Sequence, residues 1–166
     1  MSENRLVRAY NAILHFIHET LRHDTDKKTL SQHLDAAQTR AGEEFTELTP
    51  DEIQRVAGYV ERDLHDLART SSTETADAET LAAWFKFDVE QIENFAIEAF
   101  LSAADQTRVE LARLEQIAQA IPIYHSGEVT APGVLRCETC DYELVLTTAS
   151  EIPPCPQCGA RNFLRD

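Results

Sequence analysis

Cys137-Glu138-Thr139-Cys140 and, fourteen residues further on, Cys155-Pro156-Gln157-Cys158-Gly159 hold all four cysteines of this 166-residue chain. A C-x-x-C pair places two sulfurs on one tight backbone turn. Two such turns facing each other supply four ligands at about 2.3 Å from a single tetrahedral ion. Cys137, Cys140, Cys155 and Cys158 are therefore the expected metal ligands, with zinc the expected ion. Iron is the rival, because a rubredoxin-type site also draws four thiolates from two such knuckles. Paired disulfides or free buried thiols are the other uses of four cysteines. Residues 1–21 form a polar, amphipathic stretch unlike a secretion signal, which points to a reducing, cytoplasmic setting.

Gly159 follows the second knuckle and can take the positive φ that closes the turn and aims backbone N–H groups at the sulfurs. Asp141 stands at the matching place in the first knuckle and reaches that conformation less readily than Gly, though more readily than most residues. Around the knuckles, residues 142–146 read as a strand, 147–154 as a loop and 162–164 as a last strand. Glu128-Val129 and Val134-Leu135-Arg136 flank Thr130-Ala131-Pro132-Gly133, whose Pro-Gly is a turn signal. A unit of about forty residues buries too little apolar surface to fold well alone, whereas a structural zinc ion adds ~10–16 kcal/mol.

The chain before this unit reads as helix. Leu6, Val7, Tyr10, Ile13, Leu14, Ile17 and Leu21 recur at three and four residues, the pattern of an amphipathic helix over 3–22. His15 and His18 within it read as flanking or surface residues. A second helix is expected from residue 28 to about 46, with Leu30, Leu34, Ala37, Ala41 and Phe45 on one side. Thr49-Pro50-Asp51-Glu52 is a helix start with a Thr cap, Pro in the first turn and Glu three residues after the cap. The helix it opens carries Ile53, Ala57, Val60, Leu64 and Leu67 at alternating spacings of four and three.

Residues 70–78 read as a linker. Residues 79–120 hold neither proline nor glycine and read as one long helix or two, with Trp84, Phe85, Phe87, Phe95 and Phe100 supplying aromatic surface. The expected architecture is mostly α: an N-terminal helical bundle or antiparallel coiled coil over 1–122, then a small β zinc ribbon over 123–166.

The formal charge is −14, and 43% of residues are hydrophobic, as in a folded protein. Residues 1–125 carry 12 Lys and Arg against 23 Asp and Glu, and residues 126–166 carry 3 against 6, so both parts are acidic. Nonspecific nucleic-acid affinity comes from basic groups neutralising phosphates, so this charge disfavours such a partner. Arg136, Arg161 and Arg165 read preferably as solubilising surface residues; the alternative is a small local patch with Tyr142 or Phe163 available to stack on a base. No stretch is apolar for long enough to span a membrane.

Tyr124-His125-Ser126-Gly127-Glu128-Val129, then Pro132-Gly133, then C-x-x-C and a closing C-P-x-C-G, behind a long acidic helical region, resemble a bacterial family of uncharacterised zinc-ribbon proteins. The motif-level likeness is confined to residues 124–159. The resemblance implies a cytoplasmic zinc-binding protein with the four cysteines as ligands, and implies no activity. His125 and Glu128 read as an acid–base pair beside the metal or, preferably, His125 and Ser126 read as groups satisfying the backbone where the last helix hands over to the first ribbon strand, with Gly127 allowing the bend.

No nucleophile–base set or phosphate loop accompanies these motifs, so no enzyme activity is expected. The favoured function is a noncatalytic adaptor that presents the ribbon to a protein partner, with self-association through the helices open. A nucleic-acid or transcription-associated role is the first alternative, and a rubredoxin-like iron electron-transfer module the second. The rubrerythrin pattern requires Glu-x-x-His motifs, which this chain lacks.

Overall fold

The computed structural model describes residues 4–23, 30–70 and 122–165. The expected linker, apart from Thr70, and the expected helical stretch 79–120 with its five aromatic residues lie outside the described residues.

Helix α1 (Arg5–His23) starts later than the apolar pattern alone indicates, because Asn4 caps it. The Asn4 side-chain oxygen accepts the Leu6 N–H at 3.0 Å, satisfying a donor that the first helical turn cannot. Helix α2 spans Leu30–Glu44 and α3 Pro50–Thr70. The capping box opening α3 forms as its sequence predicts: the Thr49 N–H donates to Glu52 Oε2 at 2.8 Å, and the Glu52 N–H to Thr49 Oγ1 at 3.2 Å. Arg5 holds the same Glu52 carboxylate at 3.0 Å.

The three helices pack on one another through the expected stripes. Tyr10, Ile13 and Ile17 of α1 meet Leu34, Ala37 and Ala41 of α2 and Ile53, Val56, Val60 and Leu64 of α3 in one core. Phe16 and Ala9 are buried as well, so α1 is apolar over a wider arc than one seam needs. His18 is buried, which corrects the expectation of a surface residue, whereas His15 is exposed beside Glu19.

The C-terminal part forms two antiparallel sheets. The larger has the order β1 (Ile123–His125), β6 (Asn162–Arg165), β3 (Gly133–Cys137), β4 (Glu143–Leu146). The smaller pairs β2 (Val129–Thr130) with β5 (Ser150–Glu151), a strand formed inside the stretch expected to be loop. Pro132-Gly133 therefore does not close a hairpin. It carries the chain from the small sheet into the large one.

Register puts Tyr124 opposite Phe163, Cys137 opposite Phe163 and Leu135 opposite Arg165. Alternation along the strands then collects Tyr124, Phe163, Leu135 and Cys137 in a second apolar cluster with Ile152 and Cys155. Val129 and Ala131 turn away from that cluster and enter the helical core. The ribbon is thus seated on α1 and α3 through its small sheet.

Candidate metal centre and its joint to the helices

The two knuckles are near copies in backbone terms. The Asp141 N–H donates to the Cys137 carbonyl at 3.0 Å, and the Gly159 N–H to the Cys155 carbonyl at 2.8 Å. Both turns close through a residue with positive φ, 57° at Asp141 and 74° at Gly159. Asp141 thus takes the conformation its glycine counterpart takes freely, and the first knuckle closes like the second. Cys137 and Cys155 are buried, Cys140 is half-buried, and Cys158 faces solvent.

The four sulfurs lie within 4.8 Å of one another, with Cys137 Sγ to Cys158 Sγ at 3.7 Å and Cys140 Sγ to Cys155 Sγ at 3.6 Å. Ligands at ~2.3 Å on a tetrahedron are about 3.8 Å apart, so the arrangement fits a four-thiolate ion. The Tyr142 N–H lowers the Cys140 thiol, but burial and contacts with Cys158, Cys155 and Cys137 outweigh it and push Cys140 up to about 12. Burial raises the Cys155 thiol, yet the N–H groups of Cys158 and Gln157, with Cys140 and Cys158, bring it down to about 7.

A second constellation links this ribbon to the helices, and its acids went unread in the sequence. Asp63 of α3 is fully buried. Its Oδ2 accepts from Tyr10 Oη at 2.6 Å, the Ala131 N–H at 2.8 Å and Thr130 Oγ1 at 3.0 Å, and its Oδ1 accepts from Arg62 Nε at 3.2 Å. One turn on, Asp66 accepts from Tyr124 Oη at 2.8 Å and faces Arg165 Nε at 3.7 Å. Arg165 also donates to Thr130 Oγ1 at 2.7 Å and to the Pro132 and Ala131 carbonyls, each at 3.2 Å.

The Tyr124 ring lies 4.0 Å from the Arg62 guanidinium and 5.1 Å from that of Arg165. Burial, then Asp63, raises the phenols of Tyr10 and Tyr124 well above the usual tyrosine value. Both therefore stay neutral donors.

Several expectations change here. Arg165 is only 5% exposed, so it is neither a solubilising residue nor part of a surface basic patch. Phe163 is fully buried and has no face to offer a base. Arg136 keeps partial exposure and pairs with Asp141 at 3.4 Å.

Ser126 and Gly127 serve the backbone at this corner as the preferred reading had it, but Glu128 takes the part expected of the His125 side chain, whose Nδ1 lies 3.1 Å from Asn162 Oδ1. The His125 N–H donates to Glu128 Oε2 at 3.0 Å, the same oxygen that Arg62 holds, and the Glu128 N–H returns to the His125 carbonyl at 3.1 Å. Gly127 turns this corner with φ 94°, and Ser126 Oγ donates to the Pro153 carbonyl at 3.1 Å.

Two cysteine knuckles closing a four-sulfur cluster at one end of an antiparallel sheet define a zinc ribbon. The chain belongs to the family described as zinc-ribbon containing domain, whose profile matches residues 18–166. It is similar to uncharacterized protein YbeL of Escherichia coli K12, at 27% identity over 165 residues, covering 98% of this chain and 96% of the relative. YbeL from the O6:H1 and O157:H7 strains matches to the same extent. No solved structure matches the chain.

Proposed function

We propose that this protein is a noncatalytic cytoplasmic adaptor that binds one zinc ion and presents its ribbon to a protein partner. Residues 123–166 hold the ion, and residues 1–122 supply the acidic scaffold. The observation that carries the reading is the cluster of Cys137, Cys140, Cys155 and Cys158, all four sulfurs within 4.8 Å of one another. Four thiolates fill a tetrahedral shell and leave no position for a substrate or an activated water. The ion is then structural, and the surface it organises does the work.

The surface left to a partner is defined by what the joint occupies. Val129, Thr130, Ala131 and Arg165 are buried at the helices, whereas Glu138, Thr139, Pro156, Gln157 and Cys158 are exposed around the knuckles. Glu138 on that surface, the exposed Asp141 and Glu143 close by in sequence, and the net charge of −14 suit a basic protein better than a nucleic acid. Among the described residues no helix is long and apolar enough to cross a membrane.

Two measurements test this. Metal analysis with a visible spectrum of the purified protein should return one zinc per chain and no colour, whereas iron and visible absorbance would establish the electron-transfer alternative. Affinity capture from host lysate, with and without nuclease, should retain a protein partner in both. Recovery that collapses with nuclease overturns the adaptor reading in favour of nucleic acid.

A further inference from the structure

From the open edge of β4 we infer that the partner surface is a strand-docking site, which pairs with an extended, basic segment of another protein. The inference rests on the adaptor reading and specifies the chemistry of its partner.

The direction of the edge follows from the ladder. The Cys137 N–H donates to the Tyr142 carbonyl and the Glu138 N–H to the Asn162 carbonyl, so odd residues of β3 face β4 and even residues face β6. Carried through the register, Leu144 and Leu146 turn their main-chain groups toward β3. Glu143 and Val145 turn theirs outward. Among the described residues no strand pairs with that outer edge. The opposite edge differs: the outward His125 N–H on β1 is already taken by the Glu128 carboxylate.

The side chains agree with the backbone. Large exposed hydrophobic residues among those described are Ile123 at 44%, Tyr142 at 37% and Val145 at 54%, and two of these three lie on β4 or at its entrance. Proteins usually blunt a free edge with a short strand, a charge, Pro or a bulge. β4 is four residues long and carries the charge of Glu143, but has no Lys or Pro and leaves Val145 exposed between its main-chain groups, reading Glu143-Leu144-Val145-Leu146. Its charged neighbours are three exposed acids, Glu138, Asp141 and Glu143, against one half-exposed cation, Arg136, which stands opposite Glu143 and pairs with Asp141, so the edge stays net acidic. A segment alternating basic and apolar residues can pair its backbone with Glu143 and Val145, cover Val145, and place its cations among these carboxylates. A second copy of this chain, itself at −14, is repelled from the same edge.

The test uses the full zinc-loaded chain and a fluorescent peptide of about eight residues alternating lysine and valine. Controls are a glutamate–valine peptide and a lysine–valine peptide of equal charge interrupted by proline. The lysine–valine peptide should bind saturably and slow amide exchange at Glu143 and Val145, and neither control should do so. Glu143→Lys should weaken binding about fivefold or more. Val145→Pro removes an outward N–H without touching the β3 ladder, and should abolish the exchange protection at Glu143 while zinc content stays at one per chain.

Equal binding of the proline-interrupted peptide, or unslowed exchange at Val145, overturns the proposal, because attraction would then be ionic only. Lysate capture separates this failure from that of the adaptor reading. A partner kept by both variants leaves the adaptor standing without the edge, and no partner on the native chain removes the adaptor itself.

Discussion

Asp63→Ala is the substitution that most directly tests the joint between ribbon and helices. The native carboxylate is fully buried and takes hydrogen bonds from Tyr10, Thr130, Ala131 and Arg62. Alanine leaves the Tyr10 hydroxyl and the Ala131 N–H without that acceptor, and each unmet buried donor costs ~1–3 kcal/mol. It also strips a counter-charge from Arg62, and removing one partner of a buried ion pair costs ~3–5 kcal/mol. These describe one change from two sides and overlap, so the expected loss is about 3–5 kcal/mol in total, not their sum. Asp63→Asn keeps one carbonyl acceptor and is expected to lose about 2 kcal/mol.

The assay is urea unfolding of zinc-loaded protein, followed by helical circular dichroism and, in parallel, by release of zinc to a chromogenic chelator. Tyr10 lies on α1 and Thr130 with Ala131 in the ribbon, so both signals should shift to lower urea together. A loss below about 1 kcal/mol in Asp63→Ala refutes the energetic argument, since an ordinary surface change does no more than that. Loss of helix signal with zinc release unmoved refutes the joint: the acid would then matter only to the helical core.

Arg165→Ala should cost about 3–5 kcal/mol in the same assay, because it takes the Arg165 cation away from the buried Asp66 carboxylate and a donor from Thr130. Arg136→Ala and Arg161→Ala should stay within about 0.5 kcal/mol of the native chain. Tyr10 and Tyr124 have pKa values raised in the fold, chiefly by burial. Their contribution is complete below the usual tyrosine value near 10 and is lost as pH rises through the folded value, so urea midpoints should fall above about pH 10. Tyr10→Phe should flatten that fall. Zinc removal by a chelator should speed amide exchange in α3 around Asp63 and Asp66, which lose Thr130, Tyr124 and Arg165 as the ribbon loosens. Unchanged exchange there would count against metal-linked packing. Thr49→Ala should cost ~1 kcal/mol in thermal unfolding through loss of the α3 cap.

What was legible in the sequence had a local cause. Two C-x-x-C pairs read as one cluster because four sulfurs on two turns need only short-range geometry. The Thr49 capping box and the stripes of α1, α2 and α3 read for the same reason: period and cap lie within a few residues of each other. Strand β5 did not, since Ser150-Glu151 has no apolar alternation and exists only because β2 pairs with it. Arg165 was misread because an arginine near a chain end ordinarily solubilises. The signal available was its place two residues after Phe163, on the same inward face of β6.

Asp63 and Asp66 carried a signal too. Asp63 continues the inward series Val56, Val60, and an acid in a core position calls for a donor from elsewhere in the chain. Which donor was unreadable, because Thr130 and Ala131 lie 67 and 68 residues away.

The position of these acids explains how so small a ribbon finds one seat. Its apolar contribution to the helical core is Val129 and Ala131, with Ala149 half-buried beside them. A patch that small can slide at little cost. On a strand, moreover, a slip of one residue exchanges the inward and outward faces, putting Thr130 where Val129 belongs. Asp63 removes that freedom because its Oδ2 takes both the side chain of Thr130 and the N–H of Ala131, a pairing that no neighbouring register supplies. Arg165 then closes the arrangement from β6, binding Thr130 on one side and Asp66 on the other. The buried charges thus act chiefly through register, and the cost of desolvating them is offset by the number of donors that converge. Cys137 and Phe163 are paired across β3 and β6, so the strand that carries Arg165 is the one held against the cysteine cluster. Order at the cysteines and order at the acids are therefore carried by the same strand.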